Sequence, residues 1–364
     1  MSWVLQNVTL LDGAMVDIVI ADGKISELTP PGQGKAARTI DGSGLMASSG
    51  WIDLHVHAVS ELAPYGDDID EIGIKLGVTT IVDAGSCGAD RIDAFYAKAV
   101  EAKTRVLSFL NISHIGLERI DELSDMAWLD EQKLSQALHQ HADFIVGLKA
   151  RISRSVVKEQ GLAPLRRARQ WSDRYKLPLM VHIGSGPPAI ADVIDLLQQG
   201  DMITHFLNGK ANNLFDQEGQ PIPALLEALD RGVHLDVGHG TASFSFEVAE
   251  KAKAAGIHPH TISTDIYRNN RLNGPVYSLA DTMSKFLLLG YSLQEVVSMV
   301  TSRAAARIGR PELGSITVGA PADLTLFEVV SGEKQLVDSE GQERVATEFI
   351  NVQGVVAGGT YHAC

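Results

Sequence analysis

The sequence predicts an α/β protein: a (β/α)8 TIM barrel spanning residues 51–311, with a small β-sandwich domain built from both chain ends, residues 1–50 and 312–364. Three observations predict it. Turn-rich hairpins fill the first fifty residues, short apolar strands alternate with helical patterns from Trp51 onward, and strand-like sequence returns near the C-terminus. At 364 residues and 45% hydrophobic, the chain can bury one large core and one smaller one.

The opening hairpins are marked by Asp12-Gly13, Asp22-Gly23 and Asp41-Gly42, dipeptides that favour tight turns between segments such as Asp17-Ile18-Val19-Ile20. From Gly50 the rhythm changes. Strand candidates run at 78–82, 105–110, 144–148, 177–181, 202–204, 233–237 and 261–264, each followed by a helical pattern. With the opening strand at 51–57 they are eight, over the length of a (β/α)8 barrel. The last barrel helix carries a capping box, Ser292-Leu293-Gln294-Glu295, ahead of Val296-Val297. The exit Gly314 to Asp323 then leads into Leu324-Thr325-Leu326-Phe327.

Composition excludes several classes. A net charge of −14 argues against a nucleic-acid or anionic-membrane surface, which would need clustered Lys and Arg. The two cysteines, Cys87 and Cys364, supply neither a disulfide framework nor a Cys-rich zinc site. No secretory signal is visible at Met1-Ser2-Trp3-Val4, and every apolar run is too short to span a bilayer. The expectation is a cytoplasmic enzyme with a small-molecule substrate, no nucleic-acid or membrane partner, and a surface compatible with a homo-oligomer.

The chemistry is carried first by His55-Val56-His57 on an apolar strand. Alternate strand residues share a face, so His55 and His57 are expected side by side above Asp53, with Ile52, Leu54 and Val56 packed under a helix. Two other His-x-His pairs lack that setting. His139 and His141 lie in a helix-like stretch, where neighbours two apart diverge by roughly 200°, and His258 and His260 flank a proline. In a barrel, strand ends converge on one mouth. Read in order they present His55 and His57, Cys87, His114, Lys149, His182, His205, His239 and Asp265. A buried carboxylate at Asp265 needs a cation, and a site with two imidazoles needs more donors, which His182 and His205 supply. Lys149 is either a strand-capping surface lysine or a carbamate, formed when the neutral amine captures carbon dioxide and becomes an anion with two ligand oxygens.

These residues resemble the amidohydrolase superfamily, through Asp53-Leu54-His55-Val56-His57, Lys149, His182, His205, Asp265 and the exit Gly314 to Asp323. The segments Thr204 to Lys210, Asp236 to Gly240, Ser263 to Tyr267 and Gly274 to Tyr277 look closer still to its deacetylase, dihydroorotase-like branch. The resemblance implies a binuclear zinc centre, with His55, His57 and Asp265 on one ion, His182 and His205 on the other, and N6-carboxylated Lys149 bridging them. It also implies a metal-bridging hydroxide as nucleophile, because metal binding lowers the pKa of water from about 15.7 to roughly 7. Asp265 is then the catalytic proton shuttle.

The expected activity is hydrolysis of an acyl group, an acetyl above all, from an amide or ester of a small carboxylate-bearing compound. Arg151 is placed to grip that carboxylate, while Asn208, His239 and Tyr267 follow their strands as further substrate-binding candidates. A ring-opening cyclic amidohydrolase, dihydroorotase- or hydantoinase-like, is the alternative. Dihydroorotases carry an Arg two residues after the second histidine, where this chain has Val59 after Ala58. Gly85-Ser86-Cys87-Gly88 resembles a segment of D-aminoacylases whose cysteine is a zinc ligand, but those lack the bridging lysine. A barrel without catalysis, serving as an assembly partner, is the reading from another class.

Overall fold

The computed structural model describes residues 2–364. Seven of the expected strands form one parallel sheet in sequence order: Trp51–Val56, Val78–Ala84, Arg105–Asn111, Ile145–Ile152, Leu179–Ile183, Met202–Thr204 and His234–Asp236. Helices including Ile92–Ala99, Glu131–Gln140, Ala163–Tyr175, Pro223–Asp230 and Phe246–Ala254 connect or follow them. The predicted capping box is present: Ser292 Oγ accepts from the Glu295 N–H at 3.2 Å, and Glu295 Oε2 accepts from the Ser292 N–H at 2.8 Å.

The eighth expected strand, 261–264, does not form. Isolated bridges join Thr261 to Asp236 and Ile266 to Val56, so this segment spans the two edges of the sheet without a regular ladder. Hydroxyl side chains strengthen its attachment. Thr261 and Ser263 donate to Asp236 at 2.7 and 2.6 Å, and Thr264 donates to Asp53 at 2.5 Å. These bonds add to backbone hydrogen bonds on both sides, among them Val237 N–H to the Thr261 carbonyl at 3.2 Å, Gly240 N–H to that of Thr264 at 2.8 Å and His57 N–H to that of Ile266 at 3.0 Å, and the chain turns at Asp265 with φ of 53°.

The expected face pattern of the first strand is also corrected. Ile52 and Leu54 pack with Val82, Ala84, Leu107, Phe109, Met180 and Met202, alternate residues of successive strands, over Ala304, Ala305 and Ile308. Val56 instead joins Trp51 in the core shared with the surrounding helices. A register shift between Asp53 and Val56 sets three steps against two on the neighbouring strand, and this bulge resets the alternation just where the histidines begin.

Strands from both chain ends pair into a single eight-stranded sheet rather than two separately hydrogen-bonded sheets. Trp3, Leu5, Ile18, Ile20, Leu324, Leu326 and Val356 form its core. The hairpin Leu324–Val337 and Glu343–Ala357 is long, bulged at two places, and runs beyond that core. Its outer residues Leu336, Ala346 and Ile350 pack in the core of the parallel sheet and its helices, and the Ile350 N–H donates to Ser284 Oγ at 3.0 Å. Its turn reaches the loop after His234–Asp236, where Ser339 Oγ donates to the Gly240 carbonyl at 2.9 Å. Among the described residues no helix is long and apolar enough to cross a membrane.

Candidate active site

A cavity of about 210 Å³ opens where the parallel strands end, lined by His55, His57, Lys149, His182 and Asp265 among others. His205 is fully buried behind it, its ring centroid 4.3 Å from that of His182 and 4.9 Å from that of His55. The six residues read as ligands therefore meet in one place. Ligand atoms of His55, His205 and Asp265 lie within 4.8 Å of one another, a trio drawn from both expected ligand groups. Asp265 Oδ1 is 3.1 Å from His57 Nε2 and 3.4 Å from His55 Nε2.

The outer nitrogens of three rings are held by the scaffold. Thr204 Oγ1 donates to Asp236 at 2.8 Å and lies 2.9 Å from His55 Nδ1. Its proton being committed to the carboxylate, the hydroxyl accepts from His55 Nδ1–H, which leaves Nε2 as the bare nitrogen facing inward. His57 Nδ1 lies 2.8 Å from Ser86 Oγ, and His205 Nδ1 lies 2.6 Å from the Gly238 carbonyl. His205 donates there, so its Nε2 is also an unprotonated acceptor, and that buried atom has no hydrogen-bond partner. An orphaned imidazole nitrogen is costly in a dry interior and is what a metal ion satisfies.

Burial pushes His55 and His182 well below the ordinary histidine pKa and His205 to about 3, holding all three neutral, as ligation requires. Burial lowers Lys149 to about 7, against the pull of Asp265. Its Nζ sits 3.3 Å from His55 Nε2 and 3.3 Å from Met180 Sδ, so the strand-capping surface reading is excluded. Burial raises Asp265, but the hydrogen bond from His57 and the charges around it prevail and leave the carboxyl below its usual value. The donor set, of neutral imidazoles, one carboxylate and an amine that can carry a carbamate, fits divalent zinc.

Two glycines make room for this arrangement. A methyl group at Gly85, whose φ is 78°, would lie 2.6 Å from Lys149 Cβ, and one at Gly240, with φ of 53°, would lie 2.4 Å from Asp265 Oδ2. The lysine stem and the carboxylate thus occupy space that any other residue would take.

Of the substrate-contact candidates, Arg151 and Tyr267 line the cavity. Arg151 Nη1 is 3.2 Å from the fully buried Glu122, and the Tyr267 hydroxyl is 2.6 Å from Thr241 Oγ1. Asn208 and His239 lie outside the lining. Asn208 folds its own loop, donating to the His205 carbonyl at 2.8 Å, while His239 stacks on Phe244 and sits 2.8 Å from Lys285 Nζ. His114 is held by Asp90 and Lys133 away from the cavity, and Cys87 is buried in the helix-facing core. The lining also contains Tyr65, Ser153, Ser185, Lys210 and Ser243, none singled out from sequence. Lys210 closes the motif that begins at Thr204, and a cation two residues beyond Asn208 in a strand-end loop was the available signal.

A relative named deacetylase, from Enterococcus faecalis, is 42% identical over 98% of this chain and 97% of its own length. The chain belongs to the deacetylase family, within the amidohydrolase superfamily. A model described as a deacetylase-like composite domain matches residues 316–362. Among solved structures, one titled an adenine deaminase superposes on this deacetylase-family chain with a TM-score of 0.96 at 41% identity, covering 100% of it and 99% of that chain. One titled a dihydroorotase gives 0.91 at 33% identity, covering 100% and 98%. The family is one of hydrolytic enzymes acting on C–N bonds.

Proposed function

We propose that this protein is a zinc-dependent hydrolase that removes an acyl group, an acetyl in particular, from an amide or ester of a small carboxylate-bearing compound. The observation that carries the reading is the orphaned Nε2 of His205, which faces the same small volume as the inward nitrogens of His55 and the Asp265 carboxylate. The naming of the E. faecalis relative supports the acyl choice. In this reading the seven strands and the 261–266 segment act as one closed (β/α)8 barrel with the site at its mouth.

His55, His57 and Asp265 would hold one zinc ion, His182 and His205 a second, with Lys149, as its carbamate, shared between them. Bound zinc would supply water that ionises near neutral pH and a Lewis acid to polarise the scissile carbonyl. Asp265, held as a carboxylate and 16% exposed to the cavity, accepts a proton from the attacking water. It returns that proton to the departing nitrogen or oxygen as the acyl C–N or C–O bond breaks. Tyr267, on the cavity wall, orients the substrate, and Arg151 shapes that wall while paired with Glu122. Asn208 and His239 act behind them by holding loop backbone.

The test pairs zinc analysis of the purified protein with assay of N-acetyl and O-acetyl acids. About two zinc ions per chain and hydrolysis of at least one acetyl series are expected. The dihydroorotase likeness favours one second reading, a cyclic amidohydrolase. Turnover of dihydroorotate or a hydantoin, with no acetyl hydrolysis, would replace the acyl assignment, and deamination of adenine would do the same.

A further inference from the structure

We propose that Lys210, rather than Arg151, is the residue that recognises the substrate carboxylate. The proposal rests on the hydrolase reading above and names the group that sets its substrate class. Three cationic side chains line the cavity: Lys149, Arg151 and Lys210. Lys149 is deep in the floor, against His55 and Met180. Arg151 is already balanced, since Glu122 is completely buried and pairs with this guanidinium at 3.2 Å, which also lies over the Tyr65 ring. Removing Arg151 from Glu122 to serve a ligand would strand a buried carboxylate.

Lys210 is different. Its ammonium has no hydrogen bond and no ion pair among the described residues, although the side chain is partly buried in the cavity wall. Burial lowers its pKa, with Asp265 drawing it the other way. A partly buried ammonium on a cavity wall with no anion beside it is a ready partner for a ligand carboxylate.

Its position relative to the reacting centre is marked by Gly184. A methyl group there would lie 3.5 Å from Lys210 Nζ, 3.6 Å from His182 Nε2 and 3.2 Å from Ser153 Cβ. The ammonium and the imidazole therefore flank one small gap. An anion held by Lys210 sits close to the scissile carbonyl, which fits an acyl compound whose carboxylate is one or two bonds from the leaving nitrogen or oxygen. N-acetyl α-amino acids and O-acetyl α-hydroxy acids have that shape. Their uncharged primary amides share the shape without the charge.

The experiment compares zinc-loaded wild type, Lys210→Met, Lys210→Gln and Lys210→Arg in two measurements. One is kcat/KM for N-acetyl and O-acetyl acids against their primary amides. The other is calorimetric binding of the product amino or hydroxy acid against its amide, which needs no turnover. Wild type is expected to prefer acids by about 100-fold, the range of a charge-assisted hydrogen bond, with the preference erased in both neutral variants chiefly through KM and largely kept in Lys210→Arg. An undiminished acid preference in the neutral variants, or equal handling of acid and amide by wild type, overturns the proposal. Failure of wild type to hydrolyse any acetyl compound would strike the hydrolase reading alone, because the binding comparison still decides for or against Lys210.

Discussion

Thr204 Oγ1 stands between two residues that never touch it in sequence: it donates to Asp236 Oδ2 at 2.8 Å and accepts from His55 Nδ1 at 2.9 Å. One hydroxyl thus transmits the charge of a fully buried carboxylate to a ring whose other nitrogen faces the cavity. The same Asp236 accepts from Thr261 and Ser263, which join the 261–266 segment to the sheet. Orientation of the His55 ring and attachment of that segment share one carboxylate.

Thr204→Val removes the hydroxyl and keeps the shape. Zinc affinity is expected to fall by about 10- to 100-fold, the usual consequence of losing a partner behind a metal-ligating histidine. Competition with a chelator measures it. Wild-type affinity in the variant would show that His55 is oriented by packing alone.

Lys149→Ala tests the shared ligand. Zinc content is expected to drop from about two ions per chain to one or none, with kcat reduced by at least about 1000-fold, as when one member of a catalytic unit is deleted. Metal analysis and steady-state kinetics on the same sample check it. Retention of both ions and of turnover would remove the carbamate from the scheme.

Gly85→Ala should damage the same lysine from a distance. The added methyl would come within 2.6 Å of Lys149 Cβ, and the backbone there has φ of 78°. Left-handed strain adds about 1–2 kcal/mol of destabilisation, visible as a lower denaturation midpoint. The displaced stem should also reduce zinc occupancy, whereas strain alone would leave occupancy intact at low temperature.

Lys285 carries a pH signature. Burial lowers it to about 7, where it sits 2.8 Å from His239 Nε2 and donates to the Pro275 carbonyl at 2.8 Å. The unfolded chain keeps its proton up to the ordinary lysine value of 10.5. Between those limits the unfolded state binds more protons, so this residue makes stability rise with pH above about 7 and adds no slope below it. Lys285→Met is expected to flatten that rise, by a total on the order of a few kcal/mol. Urea denaturation of both proteins from pH 6 to 10 checks the sign, and an unchanged slope would reject it.

Much of the candidate site was readable because its residues occur where apolar strands stop. His55, His57, His182, His205 and Asp265 follow buried runs, and a polar group at that point of a parallel sheet is directed to one mouth. The parallel order and the cap at Ser292 follow from local rules of period and hydrogen bonding. Asn208 and His239 share the same strand-end position as the candidate ligands, and nothing local distinguishes a side chain that lines a cavity from one that holds its loop.

By itself the sequence determined the alternation of strand and helix, the set of histidines, lysine and aspartate that gather at the cavity and the joining of both chain ends in one β domain, since each depends on residue type and short-range spacing. Only the tertiary structure decided that 261–264 joins the sheet through isolated bridges reinforced by hydroxyls on Asp53 and Asp236, that a bulge after Asp53 resets the first strand, and that the charge of Arg151 is taken up by Glu122 while that of Lys210 is not. Those outcomes turn on which groups, 30 or 200 positions apart along the chain, come within hydrogen-bonding reach, and such distances exist only once the chain has folded.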